Sequence, residues 1–466
     1  MLCRLEILMA KKTERNRAFP WGRAFLRIYK ILYFICLVAA VVNAWLKMQQ
    51  LYNADGKTTI VLTAIHVICL APLLSVYRAL DIGKKRFADL CIGQMLSILI
   101  SDAISFLSAS LVLKELPSVE IALVTLAFQT ALCVLWTLSA TALWKKWVPA
   151  QKVAVLYADE KAYESIGELH LDSDSFNVAE TVCVDNFEDN GKVIADSIKG
   201  VSGVFLCGIP AQLRNEIMTE LIKKDITVYI RPKNSDIFLN TAQRQYMFHI
   251  PMLSYDPKKH SLLLRAVKRT MDIILSLPIF ILTSPIMLIT AIAIKCEDKG
   301  PVLYKQERLT RGGKIFKIMK FRSMRVDAEK DGVARLASDG DERITKVGRF
   351  IRATRIDELP QLINILRGDM SLVGPRPERP EIAEQYEREL PEFSMRLKVK
   401  AGLTGYAQIY GKYNTTPYDK LQMDLLYIND MSIVTDLKLL LQTAQTVFQK
   451  ESTEGVKKGQ TTAKKD

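Results

Sequence analysis

The sequence predicts a membrane protein of α plus α/β class. It has an N-terminal four-helix transmembrane bundle, a Rossmann-like α/β middle domain, and a re-entrant membrane helix hairpin leading into an α+β cytoplasmic domain. Three observations predict this architecture. Four apolar runs of near-membrane length fall within residues 31–147. Strand-like and helix-like patterns alternate in residues 148–255, which is typical of βαβ units. A fifth apolar run, within residues 256–300, is interrupted by proline and flanked by basic residues.

Composition and charge narrow the class of partner. The chain has 466 residues and a formal net charge of +14. A basic balance indicates an anionic partner, which could be nucleic acid, a lipid surface or a phosphorylated substrate. The eight cysteines form no CxxC pair and no Cys/His cluster, and only four histidines are present. The sequence therefore predicts neither a zinc site nor a disulfide framework.

The four N-terminal runs are each near the ~20 residues that a helix needs to cross the hydrocarbon core. After a basic segment at 1–30, they lie at 31–46, 59–77, 90–113 and 121–144. Basic clusters at 84–86 and 145–146 mark the loops on one side. The positive-inside rule then places the N-terminus, the middle loop and everything after residue 146 in the cytoplasm.

Asp102 lies inside the third apolar run. A charged group within a membrane helix is costly and is a functional candidate by default. The alternative interpretation is a packed polar contact with Ser101, Ser105 or a neighbouring helix. We favour the packed contact because no basic partner is visible in the other runs.

The middle segment has the pattern of a small doubly wound domain. Buried strands are predicted at 153–157, 201–207 and 226–230, and helices at 189–199 and 211–224. Residues 157–160 stand where a Gly-rich phosphate turn would be needed, so the GxGxxG fingerprint is missing. We predict a structural or regulatory module rather than a dinucleotide site, and this domain could mediate a homodimer.

The fifth apolar run, 271–294, is long enough to span a membrane, which would place the C-terminal domain outside the cell. Basic residues flank both of its ends, and Ser284-Pro285 interrupts its centre. Proline removes a backbone donor and kinks a helix, and a neighbouring Ser hydroxyl can satisfy a freed backbone group. We predict a helix broken at Ser284 and Pro285 that enters the cytoplasmic leaflet and returns, with both basic ends at anionic headgroups.

Two adjacent carboxylates, Asp357 and Glu358, stand before apolar residues at helical spacing, so the pair is predicted at or near a helix start. One interpretation is structural, because residues 354–357 fit a capping box and acids are favoured in a first helical turn. The other is a phosphate and metal site. Glu358 could bind Mg²⁺, which prefers oxygen ligands, and Asp357 could attack a phosphorus atom. Planar donors suited to phosphate oxygens come from Arg352, Arg355, Arg367 and Arg376.

The remaining C-terminal sequence defines the limits of this unit. We predict a catalytic domain at 301–450 and a disordered tail at 451–466, which is rich in Lys, Thr and Gly. A dense basic set lies between residues 314 and 325. No helix-turn-helix, RRM or zinc-finger pattern accompanies it, so we expect no nucleic-acid partner. Lipid headgroups or a nucleotide diphosphate explain the charge as well.

From about residue 263 to residue 448 the chain resembles the bacterial sugar transferases, the polyprenyl-phosphate hexose-1-phosphate transferases. The resemblance rests on Lys268-Arg269 entering a helix with Ser284-Pro285, segment 316–324, Asp357-Glu358, segment 368–377 and segment 402–405, in that order. The preceding apolar runs and α/β segment are similar to the long-chain members that start exopolysaccharide or O-antigen repeat units.

The resemblance implies transfer of a sugar 1-phosphate from a UDP-sugar to undecaprenyl phosphate, with release of UMP at the cytoplasmic face of the bacterial inner membrane. It implies that Asp357 is the nucleophile of a phosphosugar–aspartyl intermediate and that Glu358 is the Mg²⁺ ligand. Arg376 and Arg352 would hold phosphate oxygens. Further phosphate contacts are expected from Lys268, Arg269 and Lys412.

Three positions depart from the family pattern. Ala401 stands where the pattern has Pro, Tyr406 where it often has Trp, and Lys412 where Arg is common. Because lysine cannot make a bidentate contact, the phosphate role of Lys412 stays open. The sugar also stays open among glucose, galactose and N-acetylated sugars.

Two alternative hypotheses remain open. One is a non-catalytic membrane scaffold or regulator of polysaccharide assembly with a degenerate site, although the intact Asp357, Glu358 and Arg376 speak against it. The other lies within the enzyme interpretation, as direct in-line transfer with Asp357 acting as a general base.

Overall fold

The computed structural model describes residues 21–158, 175–184, 191–247, 250–256, 261–326, 341, 343–411 and 415–447. The chain divides into two compact units, Met1–Arg231 and Pro232–Asp466. The predicted disordered tail, most of the basic N-terminal segment and Lys412 lie outside the described residues.

Four long helices open the first unit. They are α1 (Gly22–Tyr52), α2 (Gly56–Val76), α3 (Phe87–Leu113) and α4 (Val119–Trp147). Each contains an apolar window long enough to cross a membrane by length and composition, of which only 22–33% is buried. Large apolar side chains such as Leu107 and Leu111 are exposed. Outward apolar faces on all four helices are what a lipid environment favours.

The interior of the helix bundle is polar around Asp102. The Nδ1 atom of His66, on α2, lies 3.5 Å from Asp102 Oδ1 and 3.3 Å from Ser105 Oγ. The packed-contact interpretation of Asp102 is thereby confirmed. The partner of Asp102 is a single His on a neighbouring helix, which does not stand out within an apolar run of the sequence.

The first unit continues as a parallel α/β layer. Its strands are β1 (Gln151–Tyr157), β2 (Phe176–Cys183), β3 (Gly203–Cys207) and β4 (Thr227–Ile230), in the order β2-β1-β3-β4. Helices α5 (Gly191–Ser197) and α6 (Ala211–Lys223) pack on one face through residues such as Ile194 and Ile217. The three predicted strands are confirmed. Strand β2 escapes prediction because it is an edge strand whose polar residues Asn177 and Glu180 interrupt the apolar pattern.

The second unit begins earlier than the sequence predicts. Helix α7 (Asn234–Asn240) and the hairpin β5 (Gln243–Met247) and β6 (Ile250–Ser254) precede residue 255. Ile237 of α7 is buried in the main core of this unit, and the Asn429 side-chain amide donates to its carbonyl at 3.3 Å. The second compact unit starts at Pro232, directly after β4, whereas the sequence predicts a domain boundary at 255.

The rest of the second unit is an α+β assembly. Its longest elements are α8 (Leu262–Asp298), β7 (Leu303–Leu309), β8 (Ile315–Phe321), α9 (Lys346–Ala353), α10 (Gln361–Arg367), α11 (Pro380–Glu389), α13 (Pro417–Asn429) and α14 (Ile433–Val447). Strands β7 and β8 pair antiparallel, while the short β9 (Ser371–Val373) and β10 (Gly402–Thr404) pair parallel, and β10 leads into the short α12 (Tyr406–Ile409). The core between them includes Ile365, Met370, Leu421 and Leu425.

Helix α8 is one continuous element of 37 residues with Pro285 inside it. The predicted break at Ser284-Pro285 is therefore wrong at the level of secondary structure. Ser284 Oγ donates to the carbonyl of Ile281 at 2.7 Å. That carbonyl lies four residues before Pro285, which has no N–H to offer it. The predicted compensation by the Ser hydroxyl is confirmed, and it explains how the helix continues through the proline.

Both halves of α8 pack on the second unit. Leu275 and Phe280 in the first half contact the main core, and Ile294 in the second half clusters with Phe321 and Ile351. Between these contacts the helix exposes large apolar side chains: Ile281 60%, Leu282 77%, Ile286 46%, Leu288 64% and Ile289 68%. The middle of α8 thus carries five exposed large apolar side chains.

Candidate active site

The acid pair lies on a tight turn between two helices. Helix α9 ends at Ala353, and Thr354 Oγ1 donates back to the Phe350 carbonyl at 2.9 Å. Arg355 then takes a left-handed conformation with φ 59°, and a 3₁₀ turn follows over Ile356–Glu358. The predicted capping box at 354–357 is wrong, because Thr354 is the C-cap of the preceding helix and the N-cap of the 3₁₀ turn is Arg355, which makes no side-chain capping bond. The pair stands just before α10 rather than in its first turn.

Glu358 is held by two cations on one oxygen. Its Oε1 accepts hydrogen bonds from Lys320 Nζ at 3.0 Å and from Arg376 Nη2 at 3.1 Å. Burial alone would raise the pKa of Glu358, but Lys320, Arg376 and Arg355 together hold the pKa well below its usual range. Glu358 is therefore ionised at neutral pH.

Asp357 has a different environment from its neighbour. Burial, followed by the charge of Glu358, raises the pKa of Asp357 above the ordinary carboxylate range, while Lys320 and Arg352 oppose that rise. Among the described residues, none donates a hydrogen bond to its carboxylate. Two adjacent acids whose pKa values are pushed apart are typical of a site that divides roles between them.

Strand β8 brings Lys320 to the acid pair. Asn364 of α10 accepts from the backbone N–H of Met319 at 2.9 Å and donates to the carbonyl of Lys317 at 2.9 Å, which fastens α10 to β8. Lys320 follows Phe316 and Ile318 at strand spacing, on the buried face. The sequence alone marks Lys320 only as part of a basic cluster. The i, i+2, i+4 spacing is the signal that could place this lysine inward.

The arginines divide into two groups. Arg352 and Arg355 act on the acid pair electrostatically, and Arg376 contacts Glu358 directly. Arg367 is the last residue of α10 and is exposed. It is not among the charges that shift the pKa of Asp357 or Glu358. The structure therefore brings three of the four predicted arginines to the acids, and their phosphate roles stay predictions.

Lys268 and Arg269 are used inside the fold. Lys268 is buried in an ion pair with Asp436. Arg269 donates to the carbonyls of Ile365 and Leu366 at 2.5 and 2.7 Å, at the end of α10. Their donors join α8 to the rest of the unit, and the phosphate contacts of these two residues stay predictions. Lys412 lies outside the described residues.

The acid pair fits a magnesium ion only in part. Among the described residues, no group of three or more His, Cys, Asp or Glu side chains could hold a metal ion. Mg²⁺ usually binds one or two carboxylates together with water and substrate phosphates. Within the described part of the chain, Oε2 of Glu358 accepts no hydrogen bond, and Asp357 lies beside it. The residues fit an ion completed by a substrate phosphate, and not a self-contained protein cage.

Comparison with known proteins finds similarity within the second unit, which contains the acid pair. Residues 263–450 match the family described as bacterial sugar transferase. A UDP-glucose:undecaprenyl-phosphate glucose-1-phosphate transferase of Caulobacter vibrioides is 41% identical over 186 residues, which are 39% of this chain and 69% of that protein. This chain belongs to the bacterial sugar transferase family. The family membership predicted from the motifs is thus confirmed.

Two further similar proteins are named for different sugars. A UDP-N-acetylgalactosamine-undecaprenyl-phosphate N-acetylgalactosaminephosphotransferase of Aeromonas hydrophila is 44% identical over 185 residues, 39% of this chain and 44% of that protein. An undecaprenyl-phosphate galactose phosphotransferase of Salmonella typhimurium is 38% identical over 202 residues, 40% of this chain and 41% of that protein. The chain thus matches less than half the length of these two relatives.

Proposed function

We propose that this chain transfers a sugar 1-phosphate from a UDP-sugar to undecaprenyl phosphate and releases UMP, as the first membrane step in building a polysaccharide repeat unit. One observation carries the proposal. Glu358 is kept ionised by Lys320 and Arg376, while the adjacent Asp357 carboxylate accepts no hydrogen bond from any described residue. The names of the similar proteins specify undecaprenyl phosphate and sugar phosphates.

The reaction proceeds in two displacements at one phosphorus atom. A carboxylate oxygen of Asp357 attacks the β-phosphorus of the UDP-sugar, and the bond from that phosphorus to the bridging oxygen breaks. UMP leaves with the bridging oxygen and its electron pair, and the sugar phosphate stays on Asp357. A phosphate oxygen of undecaprenyl phosphate then attacks the same phosphorus, and the Asp357 carboxylate leaves unchanged. Nothing is oxidised or reduced.

The surrounding charges serve phosphate binding. Arg376 is 44% exposed while it contacts Glu358, so it can meet a substrate phosphate from the solvent side. Arg352 lies in the last turn of α9 and adds positive charge next to Asp357. A magnesium ion on Glu358 would neutralise diphosphate charge and favour attack at phosphorus.

The packing of α8 supports a re-entrant membrane helix. Both of its halves contact the same unit, and its exposed apolar middle lies around Ser284 and Pro285. A helix that crossed the bilayer would carry one half away from a charged, water-soluble domain. A helix whose middle dips into the cytoplasmic leaflet leaves both halves on the domain. This arrangement would keep the acid pair at the cytoplasmic face, where undecaprenyl phosphate presents its headgroup.

The direct test is transfer by the full chain in lipid nanodiscs with Mg²⁺ and undecaprenyl phosphate. A panel of UDP-sugars is assayed for UMP release and lipid-linked product. Asp357→Asn should lower the rate by roughly 10³-fold or more, as loss of a nucleophile does. The matched control is Asp430→Asn, an exposed acid in the same unit. Absence of product from the unsubstituted chain with every sugar would refute the enzyme.

Covalent and direct mechanisms are separated by omitting the acceptor lipid. A UDP-sugar labelled in the sugar should leave label on the protein, together with a stoichiometric burst of UMP. The label should be absent from Asp357→Asn and present in Asp430→Asn. Turnover with the acceptor, but neither burst nor bound label without it, would favour Asp357 as a general base in a direct transfer.

A further inference from the structure

The turn that carries Arg376 is held at four consecutive carbonyl groups. Each carbonyl accepts a hydrogen bond from a different residue outside the turn. The pairs are Gly402 N to Pro375 O at 2.9 Å, Arg396 Nη2 to Arg376 O at 2.8 Å, Arg308 Nη1 to Pro377 O at 3.1 Å, and Leu309 N to Glu378 O at 3.0 Å. Pro375 and Pro377 also fix their own φ angles. The backbone under Arg376 therefore has little freedom to move.

Arg396 links this turn to a buried charge cluster. Its residue surface is only 3% exposed. Besides the Arg376 carbonyl, Nη2 lies 2.8 Å from Asp424 Oδ2, and Nη1 lies 3.7 Å from Glu378 Oε1. A guanidinium is costly to bury unless its charge is paired and its donors are used. The two carboxylates supply the charge pairing, and Nη2 donates a hydrogen bond to the carbonyl of Arg376.

We propose that Arg396 is a positioning residue for the transfer reaction, an inference that rests on the proposed function. Through the Arg376 carbonyl and Glu378, it fixes the backbone from which Arg376 reaches Glu358 at 3.1 Å and a substrate phosphate. Arg396 itself contacts neither acid of the pair within the described structure. Its effect on transfer must therefore pass through Arg376.

The planar shape of the guanidinium makes this role testable. Nη2 of Arg396 donates to the Arg376 carbonyl and pairs with Asp424, while Nη1 pairs with Glu378. A lysine keeps the charge beside Asp424 but has one compact ammonium group on a flexible stem. Arg396→Lys should therefore retain the buried pairing and loosen the Arg376 turn. A matched control is Arg388→Lys, since Arg388 is 75% exposed and pairs only with Glu384 on the same helix among described residues.

The first measurement is a double-mutant cycle on kcat/KM for UDP-sugar in the full chain in nanodiscs. Arg396→Lys alone should lower kcat/KM roughly tenfold or more, because a displacement of about 1 Å at a reacting group can cost up to about 10²-fold. In an Arg376→Ala background, the same change should alter kcat/KM by less than about twofold, since the two residues act as a unit. Arg388→Lys should have no effect in either background.

The second measurement does not depend on turnover. Phenylglyoxal modifies accessible guanidinium groups, and mass spectrometry quantifies the modification at Arg376. Arg396→Lys should increase labelling of Arg376 at least severalfold and leave Arg388 unchanged, with melting temperatures recorded for each protein. If the unsubstituted chain transfers no sugar phosphate, the proposed function fails while this labelling still reports on positioning.

Equal losses from Arg396→Lys in both backgrounds, with unchanged labelling of Arg376, would overturn the positioning role and leave a purely structural ion pair. If Arg396→Lys fails to fold, Arg308→Lys replaces it, because Arg308 holds the neighbouring Pro377 carbonyl at 3.1 Å. The same non-additivity with Arg376→Ala and the same rise in labelling are then required.

Discussion

At the scale of single residues, Lys320 controls the charge of both acids. Its ammonium lowers the pKa of Glu358 through a direct contact and also lowers the pKa of Asp357. Burial lowers the pKa of Lys320 itself, and Glu358 opposes this, so the three groups form one coupled set. Removal of Lys320 must therefore raise both carboxyl pKa values.

Lys320→Met is expected to shift the acid limb of the kcat/KM profile to higher pH. The nucleophile must be ionised, so activity is present above the pKa of Asp357 and is lost as the pH falls through it. A raised pKa moves that loss upward and lowers the rate near neutral pH. The measurement is UMP release between pH 5 and 9, where pH is varied at constant ionic strength.

The control for this prediction is Lys317→Met, a lysine on the exposed face of the same strand. This substitution removes one positive charge three residues before Lys320 and leaves the contact between Lys320 and Glu358 in place. An unchanged acid limb in Lys320→Met, or an equal shift in Lys317→Met, would contradict the assigned role of Lys320.

Residue roles are predictable where partners are close in sequence. Asp357 and Glu358 are adjacent, and their local pattern is enough to indicate a phosphate site. The buried ion pair of Lys268 is hidden in the sequence because its partner, Asp436, is 168 residues away. The role of Lys320 is hidden in the sequence because Glu358 is 38 residues away. A sequence displays a charge but not the group that neutralises it, and that group decides between a structural and a substrate-facing role.

Ala401 shows how one departure from the family pattern is accommodated. Its backbone N–H donates to Thr310 Oγ1 at 3.2 Å, and its carbonyl accepts from Ser371 N at 2.8 Å. A proline at this position would have no N–H for Thr310. The departure therefore adds a hydrogen bond beside the Arg376 turn and removes nothing from the acid pair.

At the scale of elements, Ser284 and Pro285 act together in α8. The Ser284 hydroxyl supplies the Ile281 carbonyl with the donor that Pro285 lacks. The sequence predicts that proline disturbs this helix and that serine compensates. It cannot show that the compensation is sufficient for the helix to continue, since that depends on the hydroxyl rotamer and on contacts along both halves.

Ser284→Ala should lower the melting temperature of the protein in nanodiscs, because the Ile281 carbonyl then lacks a partner. The expected loss is about 1 kcal/mol, the usual size of such a bond inside a membrane helix. In a Pro285→Ala background, the restored N–H at 285 can donate to Ile281, so Ser284→Ala should cost almost nothing. Equal losses in both backgrounds would show that the hydroxyl does not replace the missing donor.

The re-entrant arrangement of α8 predicts that both of its ends are reached from the same side of the membrane. Cys296 is exposed near the C-terminal end, and Ser261→Cys adds a thiol at the N-cap, in a chain otherwise free of cysteine. A membrane-impermeant maleimide should label both in inverted vesicles and neither in intact cells. Asn53→Cys, between α1 and α2, should show the opposite pattern. Labelling of the two ends from opposite sides would establish a spanning helix.

At the scale of the whole chain, the divisions follow packing rather than composition. The change from apolar to soluble α/β sequence near residue 150 is visible in the pattern. The boundary at Pro232 is not visible in the sequence pattern, because α7 has the same mixed composition as the α/β helices before it. Packing contacts assign α7 to the second unit, among them those of Ile237 with the second core and the hydrogen bond from Asn429 to the Ile237 carbonyl.

This assignment predicts where a shortened chain remains active. A chain of residues 232–466 should keep sugar-phosphate transfer, because it contains the acid pair, α8 and all of the core around Ile237. A chain of residues 256–466 lacks Ile237. It also leaves Asn429 without its contact to the Ile237 carbonyl, and Gln422 without its contact to the Pro232 carbonyl. Removing one buried Ile side chain alone forfeits about 1.5–3 kcal/mol. The shorter chain should therefore melt lower and be less active.

The two shortened chains are compared in nanodiscs by melting temperature and by UMP release. Ile237→Ala in the 232–466 chain is the matched variant, and it should reproduce much of the loss without removing any backbone. Equal melting temperatures for the two chains would place α7 outside the second unit. A 232–466 chain that melts normally but releases no UMP would instead show that transfer requires the first unit, and would locate part of the reaction's substrate binding there.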